Sequence, residues 1–261
     1  MKETENENQL VPKSHPRYQS LKYRHKIIEG MKKLVVAEAG LIAHGRGECF
    51  DYILGEKTNQ PAKKAIKAAV AALLLAKNPV ISVNGNTAAL VPKELVELSK
   101  LVKAPLEINL FYRKEGRIDA IKEVLEKSGA TNILGINNNE MSEIEGLESN
   151  RRRVSNKGIK KSDVVMVPLE DGDRTEALKK IGKKVIAIDL NPISRTALWA
   201  DITIVDNVIR VIVEMIRIAR EFENLTEEQL KDIVGTFNNK KNIIKTLDLM
   251  KDYIETQKKM L

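Results

Sequence analysis

Short, mainly apolar segments alternate with amphipathic segments along the middle of the chain. Each apolar segment has four or five residues and is followed by apolar positions three or four residues apart. This alternation predicts strands separated by helices. The predicted strands are residues 80–83, 106–110, 132–136, 164–167, 185–188 and 202–205. Apolar strands joined by helices typically form parallel sheets covered on both faces, so we expect an α/β fold, Rossmann-like, with a mainly parallel sheet of about six strands.

Helical patterns lie between the predicted strands and at both ends of the chain. Ahead of the sheet we expect a helix from residue 20 that stops at Gly40, and a short helix over 50–54. Alanine occupies seven positions between 62 and 76, which favours a helix over 61–77. The further predicted helices are 87–102, 118–127, 147–154, 175–180, 195–199, 207–222 and two within 226–261, where Thr226 opens a capping box.

We therefore expect a polar arm over 1–14 and a single α/β domain over 15–261. Helical additions flank the sheet, and the C-terminal extension begins near residue 223. The longest apolar run has nine residues, too few to cross a bilayer, and no apolar segment near residue 1 resembles a secretory signal. The single cysteine, Cys49, excludes an intramolecular disulfide and a four-cysteine zinc site. These features predict a soluble, cytoplasmic protein without a membrane partner.

The formal net charge of +8 is compatible with three interpretations. Lysine and arginine could bind nucleic acid, line a cleft for anionic substrates, or lie on an ordinary solvated surface. The densest basic segment is Arg151–Arg153 with Lys157, Lys160 and Lys161, which is either a solvated face or the edge of an anionic cleft. Aromatic residues make up only 4% of the chain, too few to favour stacking on single-stranded bases.

Polar residues follow the predicted strands, where ligands bind in open parallel sheets. Asp189 ends the fifth strand and could accept hydrogen bonds from ribose hydroxyls, and Arg195 with Thr196 could then contact phosphates. After the sixth strand, Asn207 either caps a helix or contacts an adenine edge. Asn84 and Asn86 follow the first strand, in a turn that either binds an anion or only caps a helix.

Three further segments carry candidate chemistry. Asn137, Asn138 and Asn139 follow the third strand, and residues 171–175 form either a turn or a metal or ribose site. Residues 44–48 place Arg46 between two glycines, either as an anion-binding turn or as a helix break, and lack the third glycine of a dinucleotide fingerprint. The chain has no nucleophile elbow, Walker A loop or paired-cysteine motif, so positioning and electrostatic stabilisation are the expected chemistry.

Several segments together resemble the archaeal phosphopantothenate synthetase family, also called 4-phosphopantoate–β-alanine ligases. They are HPRY (15–18), AGLIAHGRGE (39–48), NGNTAALVP (84–92), LGINNNE (134–140), VIAIDLNPISRTA (185–197) and ADITIVDNV (200–208). The resemblance implies a homodimeric enzyme of coenzyme A biosynthesis. Its expected reaction joins (R)-4-phosphopantoate to β-alanine with ATP and Mg²⁺, through an acyl adenylate, and releases AMP and diphosphate.

The resemblance also implies particular site residues. ATP would be bound by Arg24, Arg46, Asp189, Leu190, Asn191, Arg195, Thr196, Asn207 and Val208. Asp189 would hold the ribose, Asn207 with the Val208 backbone would contact adenine, and Arg46 would stabilise charge at the α-phosphorus. From their positions after the strands rather than from the resemblance, we expect phosphopantoate to contact Asn84, Asn86, Asn137, Asn138 and Asn139. No resident metal site is expected, because the nucleotide phosphates would hold most of the Mg²⁺.

Two alternatives stay open from the residues alone. Asp189 at a strand tip also suits the ribose of NAD, although no glycine-rich fingerprint precedes that strand, which weakens an NAD-dependent oxidoreductase. The basic segment from Arg151 to Lys161 would suit a nucleic-acid-binding protein. The ligase interpretation involves no nucleic acid and takes only small-molecule substrates.

Overall fold

The computed structural model describes residues 11–261, so most of the predicted arm, residues 1–10, lies outside the described residues. A six-stranded sheet in the order β3-β2-β1-β6-β7-β8 forms the centre, and all of its pairings are parallel. The strands are β1 Pro79–Val83, β2 Leu106–Ile108, β3 Ile133–Leu134, β6 Val164–Pro168, β7 Lys184–Ile188 and β8 Ile202–Ile204. A separate antiparallel pair is formed by β4 Met141–Glu143 and β5 Arg153–Ser155. The predicted parallel α/β fold is confirmed.

Helices surround this sheet and extend both ends of the chain. Those ahead of the sheet are α1 Tyr18–Lys32, α2 Glu38–Ile53 and α3 Gln60–Leu75. Those within the sheet region are α4 Gly85–Leu90, α5 Pro92–Leu101, α6 Arg117–Lys127, α7 Gly172–Lys180, α8 Arg195–Trp199 and α9 Val208–Glu221. Two more, α10 Glu227–Gly235 and α11 Asn239–Met260, form the C-terminal extension, and the capping box that begins α10 at Thr226 is present as predicted.

The two faces of the sheet bury different partners because successive strand residues point in opposite directions. Along β6, Val164 and Met166 pack into the larger core, which includes α3, α5 and α9. Val165 and Val167 face the opposite side, together with Leu178 of α7 and residues from the segment between β4 and β6. Every residue of β1 and β6 is buried, which explains why these segments lack polar alternation.

The predicted helix over 147–154 is wrong. This segment contains a 3₁₀ turn and strand β5, because buried polar side chains of the β2 region bind its backbone. The Asn109 side chain donates to the carbonyl of Arg153 at 2.9 Å, and the Glu107 carboxylate accepts from the Ser155 amide at 2.9 Å. These long-range bonds replace the ones that a helix would have made within itself.

The predicted helix over 87–102 is two helices. Val91 has φ −136° and ψ 44°, outside the helical region, and Pro92 starts α5. A proline disfavours helical geometry at the residue before it and fits the first position of a helix. The break therefore follows from local covalent sterics and was readable from Pro92 itself.

The predicted stop at Gly40 is also wrong, and residues 44–48 form neither the turn nor the helix break that their glycines suggested. Both lie inside the continuous helix α2. Gly40 permits a close tertiary contact there: a Cβ on it would lie 2.4 Å from Oδ1 of Asn86, whose Nδ2 donates to the Gly40 carbonyl at 2.9 Å. Tertiary contacts of this kind outweigh the low helix propensity of glycine, about 1 kcal/mol per residue.

Candidate active site

A cleft of about 760 Å³ lies beyond the carboxyl ends of the parallel strands. Its floor comes from the loops after β1, β2, β6, β7 and β8, and α2 forms the facing wall. The strand order reverses between β1 and β6, and an open α/β sheet binds its ligands in the crevice at such a switch point. The topology therefore assigns this cleft as the candidate active site.

Asp189 lies at the end of β7, half-buried in the cleft. Its carboxylate accepts from the Asn191 amide at 2.9 Å and from the Ser194 hydroxyl. Burial raises the pKa of Asp189, while these hydrogen bonds and the charge of Arg46 lower it. The next residue, Leu190, is buried against Leu54 and anchors the loop. The acceptor is thus held rigidly at the strand tip.

Arg46 approaches the cleft from α2 and is exposed. Within residues 11–261 its guanidinium makes no hydrogen bond or ion pair, although its charge acts on Asp189. Arg24 does not line the cleft. Its Nε donates to the Glu48 carboxylate at 2.8 Å, and Glu48 is part of the lining. Arg46 is therefore available to a ligand, whereas Arg24 contacts the site through Glu48.

The remaining residues after β7 lie at the cleft with their side chains engaged. Arg195 is 61% exposed at its side chain and forms ion pairs with Asp173 and, at 2.7 Å, with Glu176. The Thr196 hydroxyl donates to the carbonyl of Glu170 at 2.9 Å. A phosphate would have to compete with two carboxylates for Arg195, so its predicted phosphate contact involves a rearrangement.

Asn207, at the end of β8, has one hydrogen bond at each polar atom of its side chain. Its Oδ1 accepts from the Ile209 amide at 3.2 Å, and its Nδ2 donates to Asp51 of α2 at 2.8 Å. Arg210 also binds Asp51, at 2.6 Å, and pairs with Asp206. This network ties the C-terminal end of α2 to the start of α9. Adenine contact by the Asn207 side chain stays a prediction, while Val208 begins α9 beside it.

Asn84 and Asn86 both line the cleft after β1. The buried Asn84 side chain donates to the carbonyl of Pro168 at 2.8 Å and caps α4 through the Thr87 amide. It therefore joins the ends of β1 and β6 at the switch point. Asn86 is bound to α2 through Gly40. Both residues hold the walls of the cleft together.

Asn137, Asn138 and Asn139 do not line this cleft. The Asn138 Oδ1 accepts from Arg153 at 3.0 Å, and Asn137 accepts from the Asn139 amide at 3.1 Å. Asn138 and Asn139 belong to the 3₁₀ turn Asn138–Glu140 between β3 and β4, and Asn137 caps it. Their predicted contact with phosphopantoate stays a prediction, at a position outside the cleft lining.

A buried ion network that the sequence did not reveal lies beneath the switch point. Glu170 is fully buried between two arginines: it pairs with Arg151 at 2.8 Å and with the fully buried Arg174. Arg151 also pairs with Asp171 at 2.7 Å. Burial raises the pKa of Asp171, and the charge of Arg151 opposes that rise. The basic segment over 151–153 thus edges the cleft at Arg151, while Arg152 pairs with Glu143 at 3.1 Å.

Arg117 is a second cleft residue without a sequence signal. It is 5% exposed, and its guanidinium donates to three backbone carbonyls, of Leu34 at 3.3 Å, Val35 at 2.8 Å and Tyr112. No carboxylate of the described chain pairs with it. Burial and the charge of Arg151 lower the pKa of Arg117. A single arginine at a helix start forms no recognisable motif, so only the fold identifies it.

His44 completes the α2 wall. Its imidazole lines the cleft, and its buried Nε2 has no hydrogen-bond partner among residues 11–261. Burial lowers the pKa of His44, so the ring is neutral near pH 7. Within those residues no group of three or more His, Cys, Asp or Glu side chains could hold a metal ion, and no helix is long and apolar enough to cross a membrane.

Comparison with known proteins identifies the family. The family described as phosphopantothenate/pantothenate synthetase matches residues 61–253, which include all eight strands of the structure. The chain belongs to this family. The resemblance drawn from the sequence is therefore confirmed.

Curated relatives agree along nearly the whole chain. A Thermococcus kodakarensis protein named 4-phosphopantoate–beta-alanine ligase is 57% identical, over 93% of this chain and 92% of its own length. A Methanosarcina mazei protein of the same name is 47% identical, over 94% of this chain and 96% of its own. A third, from Thermococcus onnurineus, is 58% identical over 89% of each chain. The similarity to these ligases therefore extends to α2 and to the cleft that it borders.

Proposed function

We propose that this chain is a 4-phosphopantoate–β-alanine ligase, which forms phosphopantothenate with ATP. The observation that carries the proposal is the near full-length similarity to ligases of that name, with the switch-point cleft inside the matched region. Nothing in the comparisons favours the oxidoreductase or the nucleic-acid-binding protein. Arg151, the start of the basic segment, is bound to Glu170 and Asp171 rather than presented to a duplex.

ATP occupies the part of the cleft at the ends of β7 and β8 in this proposal. Asp189 accepts hydrogen bonds from the ribose, since its carboxylate is fixed at the strand tip by Asn191 and Ser194. Arg46 faces it from α2 with its hydrogen-bond donors free within the described chain. A guanidinium held there favours charge that accumulates at the α-phosphorus. The predicted roles of Leu190, Asn191, Thr196 and Val208 follow from the same position.

The reaction runs in two displacements. A carboxylate oxygen of the phosphorylated acid attacks the α-phosphorus and expels diphosphate, which leaves an acyl adenylate. The β-alanine nitrogen then attacks the acyl carbon and loses a proton, and AMP departs with the electrons of the broken acyl–oxygen bond. The chain binds and orients three small molecules in one cleft. Reactions between separate molecules thereby become steps between groups that are already held next to each other.

Mg²⁺ enters this proposal with the nucleotide. The described cleft offers single carboxylates such as Asp171, Asp173 and Asp189 rather than a cluster of ligands, which fits a cation carried mainly by phosphate oxygens. The ion would reduce the repulsion between the triphosphate and the attacking carboxylate. Removal of Mg²⁺ with a chelator is expected to abolish turnover without changing the thermal unfolding of the free protein.

One assay tests the proposed function. The protein is incubated with ATP, Mg²⁺, 4-phosphopantoate and β-alanine, and the products are separated by chromatography. We expect AMP and phosphopantothenate in equal amounts, and at least a tenfold lower rate for Arg46→Ala. Arg217→Ala, which changes an exposed arginine paired with Glu214 on α9, is the matched control. ADP in place of AMP would contradict the adenylate, and absence of phosphopantothenate would contradict the ligase.

We further infer that the enzyme is a cytoplasmic homodimer. Ile193, Leu198 and Trp199 are 61%, 63% and 42% exposed around α8, an apolar surface that a second copy would cover. Light scattering coupled to gel filtration tests this, and a mass near the monomer value of 29.3 kDa would contradict it.

A further inference from the structure

Arg117 is a buried cation with no paired carboxylate among residues 11–261, at the end of the cleft opposite to the one proposed for ATP. A guanidinium removed from water is costly unless an anion or a full set of acceptors compensates it. Its three carbonyl partners supply dipoles but no charge. A guanidinium has five N–H donors, so two donors of Arg117 have no partner among residues 11–261.

A second arginine reinforces the positive field at this point. Arg151 also lines the cleft, 7% exposed at its side chain, with Nε and Nη1 directed at Asp171 and Glu170. Its Nη2 makes no hydrogen bond with the described part of the chain. Two like charges brought together repel each other, and the buried Glu170 offsets Arg174 as well as Arg151. Glu170 and Asp171 thus balance Arg151 and Arg174, and Arg117 is left without a paired carboxylate among residues 11–261.

The backbone also approaches Arg117 unusually closely. A Cβ on Gly85, the residue that follows Asn84 after β1, would lie 2.7 Å from Nη2 of Arg117 and 2.2 Å from the Val35 carbonyl oxygen. Only glycine leaves room for the guanidinium beside this loop. Arg117 is thereby fixed against the floor of the cleft, with a rigid direction for its remaining donors.

We propose that Arg117 and Arg151 bind the phosphoryl dianion of the acid substrate, which makes them the residues that select a phosphorylated acid. The inference rests on the proposed function. It gives the phosphorylated acid a binding position separate from that of ATP. Planar guanidinium groups with paired donors suit the oxygens of a phosphoryl group. A neutral hydroxyl in the same place would leave Arg117 without its counter-charge.

The position in the sheet separates this group from the phosphates of ATP. Arg117 contacts the loop after β2, whereas Asp189 follows β7, and β1 and β6 lie between these two strands. Neighbouring strands are about 4.8 Å apart, so the two ends of the cleft are separated by roughly 14 Å. A nucleotide held by Asp189 at its ribose extends toward the switch point, and the acid meets its α-phosphate from the far side.

Substrate discrimination tests the assignment. Steady-state kinetics would compare 4-phosphopantoate with unphosphorylated pantoate for the wild type, Arg117→Lys and Arg117→Gln. We expect Arg117→Gln to raise the KM for 4-phosphopantoate at least tenfold, to change that for ATP less than twofold, and to reduce the preference for the phosphorylated acid. Arg117→Lys should be intermediate. Arg152→Gln is the matched control, since that side chain pairs with Glu143 outside the cleft.

A measurement on the wild type keeps the inference testable if the variants unfold. Inorganic phosphate should inhibit competitively against 4-phosphopantoate and not against ATP. Competition of inorganic phosphate against ATP would instead assign the arginines to the nucleotide and overturn the inference. An unchanged preference for 4-phosphopantoate over pantoate in a folded Arg117→Gln would also overturn it. If the wild type forms no phosphopantothenate, the proposed function fails separately. Calorimetry with inorganic phosphate then tests the inference on its own. Loss of phosphate binding in Arg117→Gln supports the inference, and unchanged binding contradicts it.

Discussion

Glu107 gives the sharpest test of how the buried charges are balanced. It lies in the middle of β2 with no exposed surface. Its carboxylate accepts from the Ser155 amide at 2.9 Å and from the Ile159 amide at 2.7 Å. Burial raises the pKa of Glu107 to about 7, while these hydrogen bonds and the charges of Arg174 and Arg113 oppose the rise. We predict that Glu107→Gln removes a specific pH dependence of stability.

The raised pKa of Glu107 determines how the free energy of unfolding changes with pH. A carboxyl whose folded pKa lies above its unfolded value stabilises the fold fully below the unfolded pKa, near 4.5, and loses that contribution as pH rises through about 7. Between these values the folded protein binds a proton that the unfolded chain has released. The free energy of unfolding should therefore fall with pH over this window, by about 3 kcal/mol in total for Glu107.

Denaturant unfolding of the wild type and Glu107→Gln, at half-unit steps between pH 4 and pH 8, measures this contribution. The other shifted groups, such as Asp171, Asp189 and His44, are common to both proteins and cancel in the difference. The difference should change by 2 to 4 kcal/mol across the window. A constant difference would refute the argument, and circular dichroism at each pH verifies that both proteins start folded.

Glycine and anchor variants probe the helix that carries Arg46. Gly45→Ala should raise the free energy of unfolding by about 0.5–1 kcal/mol in chemical denaturation, because a Cβ there meets no atom within 4 Å. Gly40→Ala should lower it by about 1–3 kcal/mol, since its Cβ would lie 2.4 Å from Asn86; an increase would contradict the packing. Asp51→Ala should cost about 1–3 kcal/mol and raise the KM for ATP, and an unchanged KM would show that Asn207 needs no anchor.

Most of the sheet could be predicted because its signals are local. Runs such as 164–167 and 185–188 are apolar on both faces, and each lies within one residue of the observed strands β6 and β7. Topology then placed Asp189 and Asn84 at the cleft, since the ends of parallel strands share one edge of the sheet. The resemblance added Leu190 and Arg24, of which only Leu190 lines the cleft.

The elements and site residues that could not be predicted depend on contacts between residues far apart in the chain. Residues 147–154 have an apolar spacing that suits a helix, yet Asn109, next to β2, donates to two of their backbone carbonyls. Glu107 of β2 binds the amide of Ser155, the residue that follows them. The glycines of α2 suggested turns because the contact of Gly40 with Asn86 is invisible in the sequence. Arg117 carries no motif at all. Its role is inferred from its three carbonyl partners and from the lack of a paired carboxylate among residues 11–261, and both are visible only in the assembled fold.

An arginine in this cleft can attract an anionic substrate when no carboxylate of the chain pairs with it, so the pairing of each arginine matters more than the total charge of +8. Arg151 and Arg174 face Glu170, whereas Arg46 and Arg117 have no carboxylate hydrogen-bonded to them among residues 11–261. Both unpaired charges are available to anions, and salt screens the buried charge of Arg117 less than the exposed charge of Arg46. Two such charges, one on the α2 wall and one at the far end of the floor, favour two separate anionic groups over a single extended one. A reaction between a nucleoside triphosphate and a phosphorylated acid is the kind that requires this.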